Sequence, residues 1–340
     1  MTVNKAELKK WAREKMRGVE NLLLPSFTPD LKELDEEGIR WDVRQSIRHG
    51  FFSTCCAAEL GLTFEEAKRF VEIVADEAKS KILVSTTLFF NSIDENIEMA
   101  RHAARVGCYA GLLGYPPTFN PRSAEDIYKV TKEVCDATEL AIVLYPTHKN
   151  VFEKFHPSGF PLDLLERMAD IENVVAAKIG SGDVGFICEC FERCGDRILV
   201  NANMVDWAPI MVCKYGQQWI GAAVFEVYQS PEQPYLVNYF NLLLNNEFAK
   251  AMEIYWKIRP LAGLFESHMM AIIQGAYPWN MFKYYQWCVG GNGGLTREKG
   301  RMFTHQMLMA KGAYMAAGII PREPDEEFYL GRVNYARMTG

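Results

Sequence analysis

No uninterrupted apolar stretch in the 340 residues is long enough to cross a bilayer, and there is no long run of like charge. The net charge of −6 offers no attraction to nucleic acid or to an anionic membrane, so neither is expected as a partner. The opening residues MTVNKAELKKWAREK have the charge of an amphipathic helix but lack the apolar centre of a secretory signal, and a cytoplasmic location is expected. A disulfide framework is missing too, because nine cysteines, an odd number scattered through a long chain, suit reduced thiols. CECFERC, with Cys188, Cys190 and Cys194, has no matching Cys/His pair elsewhere, and only Cys190 and Cys194 would share a helix face. Buried helical thiols are expected there, and no metal. The glycine-rich GGNGG at 290–294 neither follows a strand nor carries the Lys-Ser/Thr of a phosphate loop, and reads as a flexible link between helices.

With 49% hydrophobic and 24% charged residues, the chain has ample material for one large core. Short apolar runs recur about every thirty residues, each followed by helical periodicity. They are VENLLLPS from Val19, GFFSTCC from Gly50, KILVSTT from Lys81, CYAGLLG from Cys108, LAIVLY from Leu140, NVVAAK from Asn173, RILVNAN from Arg197 and QWIGAAV from Gln218. Eight βα units predict an α/β TIM (β/α)8 barrel with catalytic side chains at the C-terminal ends of its strands. Helix signals agree: Thr63 opens LTFEEAKRFVEIVADEA, and Ser92 with Glu95 opens a helix that Gly107 stops. After about Pro231 only helical patterns remain, so the expected organisation is an N-terminal helix at 1–18, the barrel at 19–232 and a helical cap at 233–340. A phosphate-binding barrel would want a glycine-rich turn after strand seven or eight, and NANMVDW and FEVYQSPE do not supply one.

Strand six ends in Lys178 and strand five runs out at Tyr145, which sets an amine and a phenol at neighbouring strand ends. Lysine is almost never fully buried without a partner. One reading is structural: Lys178 makes a salt bridge and Tyr145 packs. The other is chemical, and the matching positions favour it. An amine in a partly dry pocket holds its proton less firmly and attacks a ketone, while a nearby phenol moves protons to and from the intermediates.

LYP followed thirty-odd residues later by KIGSGD, with LPSFTPD near the start, LGLTFEE after strand two and YPPTFNPRS after strand four, resembles the dihydrodipicolinate synthase and N-acetylneuraminate lyase family of class I aldolases. The similarity runs from about Leu22 to Phe225 and rests on the order and spacing of the motifs. It implies that Lys178 is the Schiff-base lysine and Tyr145 the catalytic tyrosine. It also implies a 2-oxo acid, most often pyruvate, with an aldehyde as co-substrate, no cofactor, and a homodimer or homotetramer. Trp256, Tyr284 and Tyr285 are candidates for such an interface, or for core.

The chain departs from the family pattern at several points. The family usually carries Gly-Thr-Thr-Gly-Glu after strand two to hold the 2-oxo-acid carboxylate; counting back from LTFEE puts Cys55 and Cys56 at the threonines, and a two-residue gap puts Ser53 and Thr54 there. Thiols are weak hydrogen-bond partners. Phe119 stands where the synthases place a tyrosine that reaches a neighbouring subunit, and Asn150 stands nearest their substrate-gripping arginine, with Lys149 as a point charge and His148 as a new titratable group. FEKFHPSGFP offers Phe152, Phe155 and Phe160 to line an apolar pocket or to pack the loop, and with AAGIIPREPDEEFY it resembles the hydratase-aldolase branch. Asn201 and Asn203, Thr86 and Thr87, and the small Gly221 and Ala222 complete the substrate-binding candidates at strand ends. The expectation is a Schiff-base lyase cleaving or forming a carbon–carbon bond with an apolar or aromatic aldehyde. The alternatives are a 2-oxo-acid dehydratase, a synthase with another aldehyde, and a binding homologue.

Overall fold

The computed structural model describes residues 4–150, 152–157, 159–273 and 275–339. Residues 1–3 of the expected N-terminal helix, and Val151 and Ser158 of the phenylalanine-rich connection, lie outside the described residues. All eight apolar runs are strands: β1 Gly18–Leu23, β2 Ser53–Cys56, β3 Leu83–Leu88, β4 Ala110–Leu113, β5 Ala141–Leu144, β6 Val174–Ile179, β7 Leu199–Ala202 and β8 Trp219–Ala223. They form one sheet in the order β7-β6-β5-β4-β3-β2-β1-β8 with helices in the connections, the TIM (β/α)8 fold. By contact density the chain divides into two compact units, Met1–Gly18 with Leu83–Gly221, and Val19–Ile82 with Ala222–Gly340.

The helices begin where their caps are. Thr63 and Glu66 make a reciprocal capping box. Ser92 accepts from the Glu95 amide at 3.1 Å, but the Glu95 carboxylate reaches back to the amide of Asn91 rather than that of Ser92, and Gly107 ends the helix at φ 99°.

In the first unit β3 to β7 make a continuous parallel ladder. The N-terminal helix, Leu8–Lys15, is tied to it by cations. Lys5 Nζ donates to the carbonyls of Cys135 and Thr138 at 2.7 and 3.0 Å, Lys9 Nζ to Ala169 at 2.6 Å, and Arg13 Nη2 to Asp196 at 2.7 Å. Cys135 and Ala169 stand in the last turns of helices Ala124–Asp136 and Leu162–Ala169, where unpaired carbonyls concentrate negative charge, and Thr138 and Asp196 follow the ends of helices Ala124–Asp136 and Val184–Cys194 by two residues. Cys190 and Cys194 are buried in the last of these helices, and burial pushes the Cys194 thiol up to about 11.

In the second unit the C-terminal extension is helical, from Tyr235–Leu244 to Arg332–Thr339. Tyr284 and Tyr285 are core residues, 0% and 2% exposed, whereas Trp256 is 66% exposed. GGNGG is not a flexible link. Asn292 is buried, its amide donates to Asp42 Oδ1 at 2.6 Å, and its carbonyl and side-chain oxygen accept from the amides of Arg332 and Val333. Gly290 and Gly293, at φ 110° and 77°, supply the turns that place it. Among the described residues no helix is long and apolar enough to cross a membrane.

Asn173, just before β6, is fully buried and its Nδ2 reaches the carbonyls of Cys135, Leu140 and Thr138 at 3.0, 3.0 and 3.4 Å. Asn173→Ala leaves the Leu140 carbonyl without this donor and the Cys135 and Thr138 carbonyls with Lys5 alone, and is expected to cost about 1–3 kcal/mol, read as a lower urea midpoint. A change below about 0.5 kcal/mol would show that these carbonyls do not depend on it.

Candidate active site

Tyr145 stands one residue past the end of β5 and Lys178 is the penultimate residue of β6. A one-residue register shift brings them level. The strands pair as Ile142 with Val174, then Val143 with Ala176 and Leu144 with Ala177, passing over Val175. Without the shift Tyr145 would lie opposite Ala177, and the amine would point to the other face, because side chains alternate along a strand. With it, Tyr145, Lys178 and Asn201, the register partner of Lys178 on β7, follow one another at one level.

Lys178 is 5% exposed and its Nζ lies 4.9 Å from the centroid of the Tyr145 ring. A second amine, Lys149 Nζ, lies 5.3 Å from the same centroid. Burial pushes the Tyr145 hydroxyl up, but the positive charges of Lys149 and Lys178, with hydrogen bonds from Lys149 and Thr147, outweigh it and bring the phenol down to about 8. A phenol ordinarily loses its proton near pH 10.

Two glycines make this packing possible. Phe89 stacks on Tyr145 at 5.7 Å and 6°, and a Cβ on Gly114 would meet Phe89 Cδ1 at 2.4 Å. A Cβ on Gly180 would meet Tyr145 Cε2 at 2.8 Å and Thr147 Cβ at 3.0 Å. Gly180 also donates its amide to the Pro146 carbonyl at 2.7 Å and forms a parallel bridge with Thr147. Phe89, Gly114, Thr147 and Gly180 were not among the residues expected from the sequence. Gly114, which closes the run CYAGLLG, and Gly180, two residues past NVVAAK, were the available signal.

The other candidates fall out differently. Asn150 donates to the Tyr145 carbonyl at 3.0 Å, holding the turn, and His148 lies 3.7 Å from Glu153 at the surface. Phe119 is half-buried and stacks on Tyr115 at 5.5 Å. Phe152 and Phe160 are 0% and 1% exposed and pack on each other and, through Phe152, on Tyr115, so they are core; Phe155 is only half-buried. Asn201 donates to the Gly221 carbonyl at 2.8 Å, whereas the buried Oδ1 of Asn203 has no partner among the described residues. Thr86 and Thr87 are buried in β3. In the second unit Ser53, Thr54, Cys55 and Cys56 make up β2 itself; Ser53 Oγ donates to Glu20 at 2.9 Å, and Thr54 Oγ1 has no partner among the described residues. Ala222 is buried in β8.

A parallel α/β barrel that sets an amine beside a phenol at adjacent strand ends is built as an enzyme of this fold is built, with its reactive groups at the carboxyl ends of strands. The sequence model of the Dihydrodipicolinate synthetase family matches residues 16–274, and the chain belongs to that family. A 4-hydroxy-tetrahydrodipicolinate synthase from Syntrophobacter fumaroxidans is 25% identical over 249 residues, 72% of this chain and 82% of that protein. One of the same name from Methanothrix thermoacetophila is 27% identical over 249 residues, 72% and 80% of the two chains. Among solved structures, the dihydrodipicolinate synthase of Aquifex aeolicus superposes with a TM-score of 0.74 at 18% identity, covering 90% of this chain and 100% of that one. The N-acetylneuraminate lyase of Fusobacterium nucleatum does so at 0.71 and 16%, covering 88% and 98%. At these identities the structural likeness speaks for the fold.

Ultraviolet titration is expected to show one phenol ionising near pH 8, about two pH units below an ordinary tyrosine. Tyr145→Phe removes that transition and Lys149→Met moves it upward. A wild-type curve with no component below about pH 9.5 would contradict the two-lysine environment.

Proposed function

We propose that the chain is a class I lyase that binds a 2-oxo acid, pyruvate or a pyruvate aldol, as an imine on Lys178. The observation that carries the reading is the level placement of a buried amine beside a phenol poised to ionise near pH 8. Family membership supports it, as do two structural neighbours described as pyruvate complexes, the Acinetobacter baumannii dihydrodipicolinate synthase and the Fusobacterium nucleatum lyase.

In the cleavage direction Lys178 Nζ attacks the C2 ketone, and loss of water from the carbinolamine leaves an iminium. Tyr145, as phenolate, takes the proton from the C4 hydroxyl. The C3–C4 electron pair then moves toward the iminium, and an aldehyde departs from an enamine. The enamine is protonated at C3, and water releases pyruvate and the free amine. A base near pH 8 suits both directions, since it is partly ionised and its conjugate acid still donates. The Oδ1 of Asn203, buried and without a partner among the described residues, is a candidate acceptor for a substrate hydroxyl.

For the aldehyde half, the partly exposed Phe119 and Phe155 support an apolar or aromatic group, as in the hydratase-aldolase branch. With Phe152 and Phe160 committed to packing, that support is narrower than four phenylalanines imply. A second reading, a synthase taking an acidic aldehyde, is favoured by the Lys149 ammonium beside Tyr145.

Incubation with pyruvate followed by borohydride is expected to add one reduced pyruvoyl group, mapped to the peptide holding Lys178 and absent in Lys178→Ala. No adduct on the folded wild type removes the imine reading. Tyr145→Phe should still trap pyruvate but lose turnover by roughly 10²–10⁴-fold. Retro-aldol rates on arylidene-pyruvate hydrates against aldols of acidic aldehydes decide between the two substrate readings.

A further inference from the structure

The second unit holds a buried polar cluster that the imine chemistry does not use. Glu226, in the turn Phe225–Tyr228 after β8, is 6% exposed. Its Oε1 accepts from Asn21 Nδ2 at 2.6 Å and Gln286 Nε2 at 3.2 Å, while its Oε2 meets no donor among the described residues. Two more acceptors nearby, Asn21 Oδ1 and Gln45 Oε1, are buried and equally without donors. Buried polar atoms are nearly always satisfied, so these three acceptors, one of them the carboxylate's own, call for a donor or a cation.

Three neighbouring donors are already engaged. Gln286 Nε2 also serves the Leu22 carbonyl, Asn21 Nδ2 also serves Ser46, and Lys283 Nζ serves Asp42 and Ser26. Asp42 takes the Asn292 amide as well. In charge, the carboxylates of Asp42 and Glu226 face one ammonium, Lys283. His49 adds nothing, because burial and the charge of Arg48 push it down to about 3, and Tyr314 is a buried neutral phenol whose proton burial holds firmly. Arg48 itself pairs with Glu232, and Glu20 accepts from Ser53. With Glu226 ionised, the cluster carries one surplus negative charge away from water, which is costly unless something neutralises it.

Between these groups lies a cavity of about 10 Å³, lined by Leu23, Asp42, Gln45, Ser46, Glu226 and Gln286, with His49 and Gly291 closing it. That volume admits one body of water size. We propose that this cavity is a binding site for a monovalent cation of that size, potassium or ammonium, held by the unmatched oxygens of Glu226 and Gln45 that line it. The donor set is all oxygen with one formal charge, which suits a weakly charged hard cation. A proton competes for the same place: burial, and then the nearby Asp42 charge, raise the Glu226 carboxyl to about 7 against hydrogen bonds from its own backbone amide, Asn21 and Gln286.

The sign of the pH effect follows. The folded chain keeps a proton on Glu226 that the unfolded chain releases at lower pH, so stability falls as pH rises towards and through about 7. Cation binding to the ionised form restores it. Thermal melts of the full chain at constant ionic strength test this with potassium, ammonium or choline chloride. Near pH 8 we expect potassium or ammonium to raise Tm by about 2–5 °C over choline. The gain should vanish near pH 5.5 and in Glu226→Gln, and the ranking of the two salts names the preferred ion. Equal Tm in all three salts near pH 8 overturns the proposal in favour of water or a proton alone. Should Glu226→Gln not fold, thallium(I)-soaked wild-type crystals decide. An anomalous peak between Glu226 and Gln45 supports the site, and peaks only elsewhere reject it.

Discussion

Passing over Val175 in the pairing of β5 with β6 is the constraint on which the candidate chemistry depends. In a parallel ladder each residue shares its level, and therefore its face, with one partner on either side. A slip of one position exchanges the faces of everything beyond it. Below the slip the two strands bury ordinary aliphatic side chains. Above it Tyr145 and Lys178 come into line, and Asn201 continues the row on β7. An amine and a phenol placed by backbone register are held more stiffly than side chains on a loop, which is what an imine-forming pair requires.

From that alignment the electrostatics follow. A phenol with one ammonium 4.9 Å from its ring and another at 5.3 Å is easier to ionise than its burial alone would allow. The rigidity around it comes from small residues. Gly114 lets Phe89 lie against Tyr145, and Gly180 lets the Tyr145–Thr147 turn close on β6. Outside the site, Lys5, Lys9 and Arg13 of the N-terminal segment bind carbonyls at or just past the ends of three helices in the first unit, so a basic helix that buries Leu8 and Ala12 also acts as a brace. In the second unit the buried Asp42 carboxylate accepts from the Asn292 amide and pairs with the Lys283 ammonium.

Much of this architecture was legible in order along the chain. The eight apolar runs are eight strands because burial on both faces leaves continuous apolar sequence, and the Thr63 box and Gly107 stop follow from local backbone bonding. The Lys178–Tyr145 pairing was readable because each residue ends its run. The phenylalanines were not readable in the same way. Phe152 and Phe160 share a loop with Phe155, and nothing local tells a buried ring from one that faces a ligand. GGNGG misled for a related reason: glycine marks conformational freedom, yet the bonds from Asn292 to Asp42 and Val333 span 250 and 41 residues.

The order of secondary structure, the fold class and the place of an amine and a phenol at neighbouring strand ends were therefore determined by the sequence alone, since period, capping and strand-end position are properties of neighbouring residues. Only the tertiary structure decided that the amine and phenol share a face, that Asn150 holds the turn through the Tyr145 carbonyl, and that Glu226 lies buried with an oxygen unmatched among the described residues. Register between strands and the accounting of buried donors are set by contacts between residues far apart in the chain, and no local pattern carries that information.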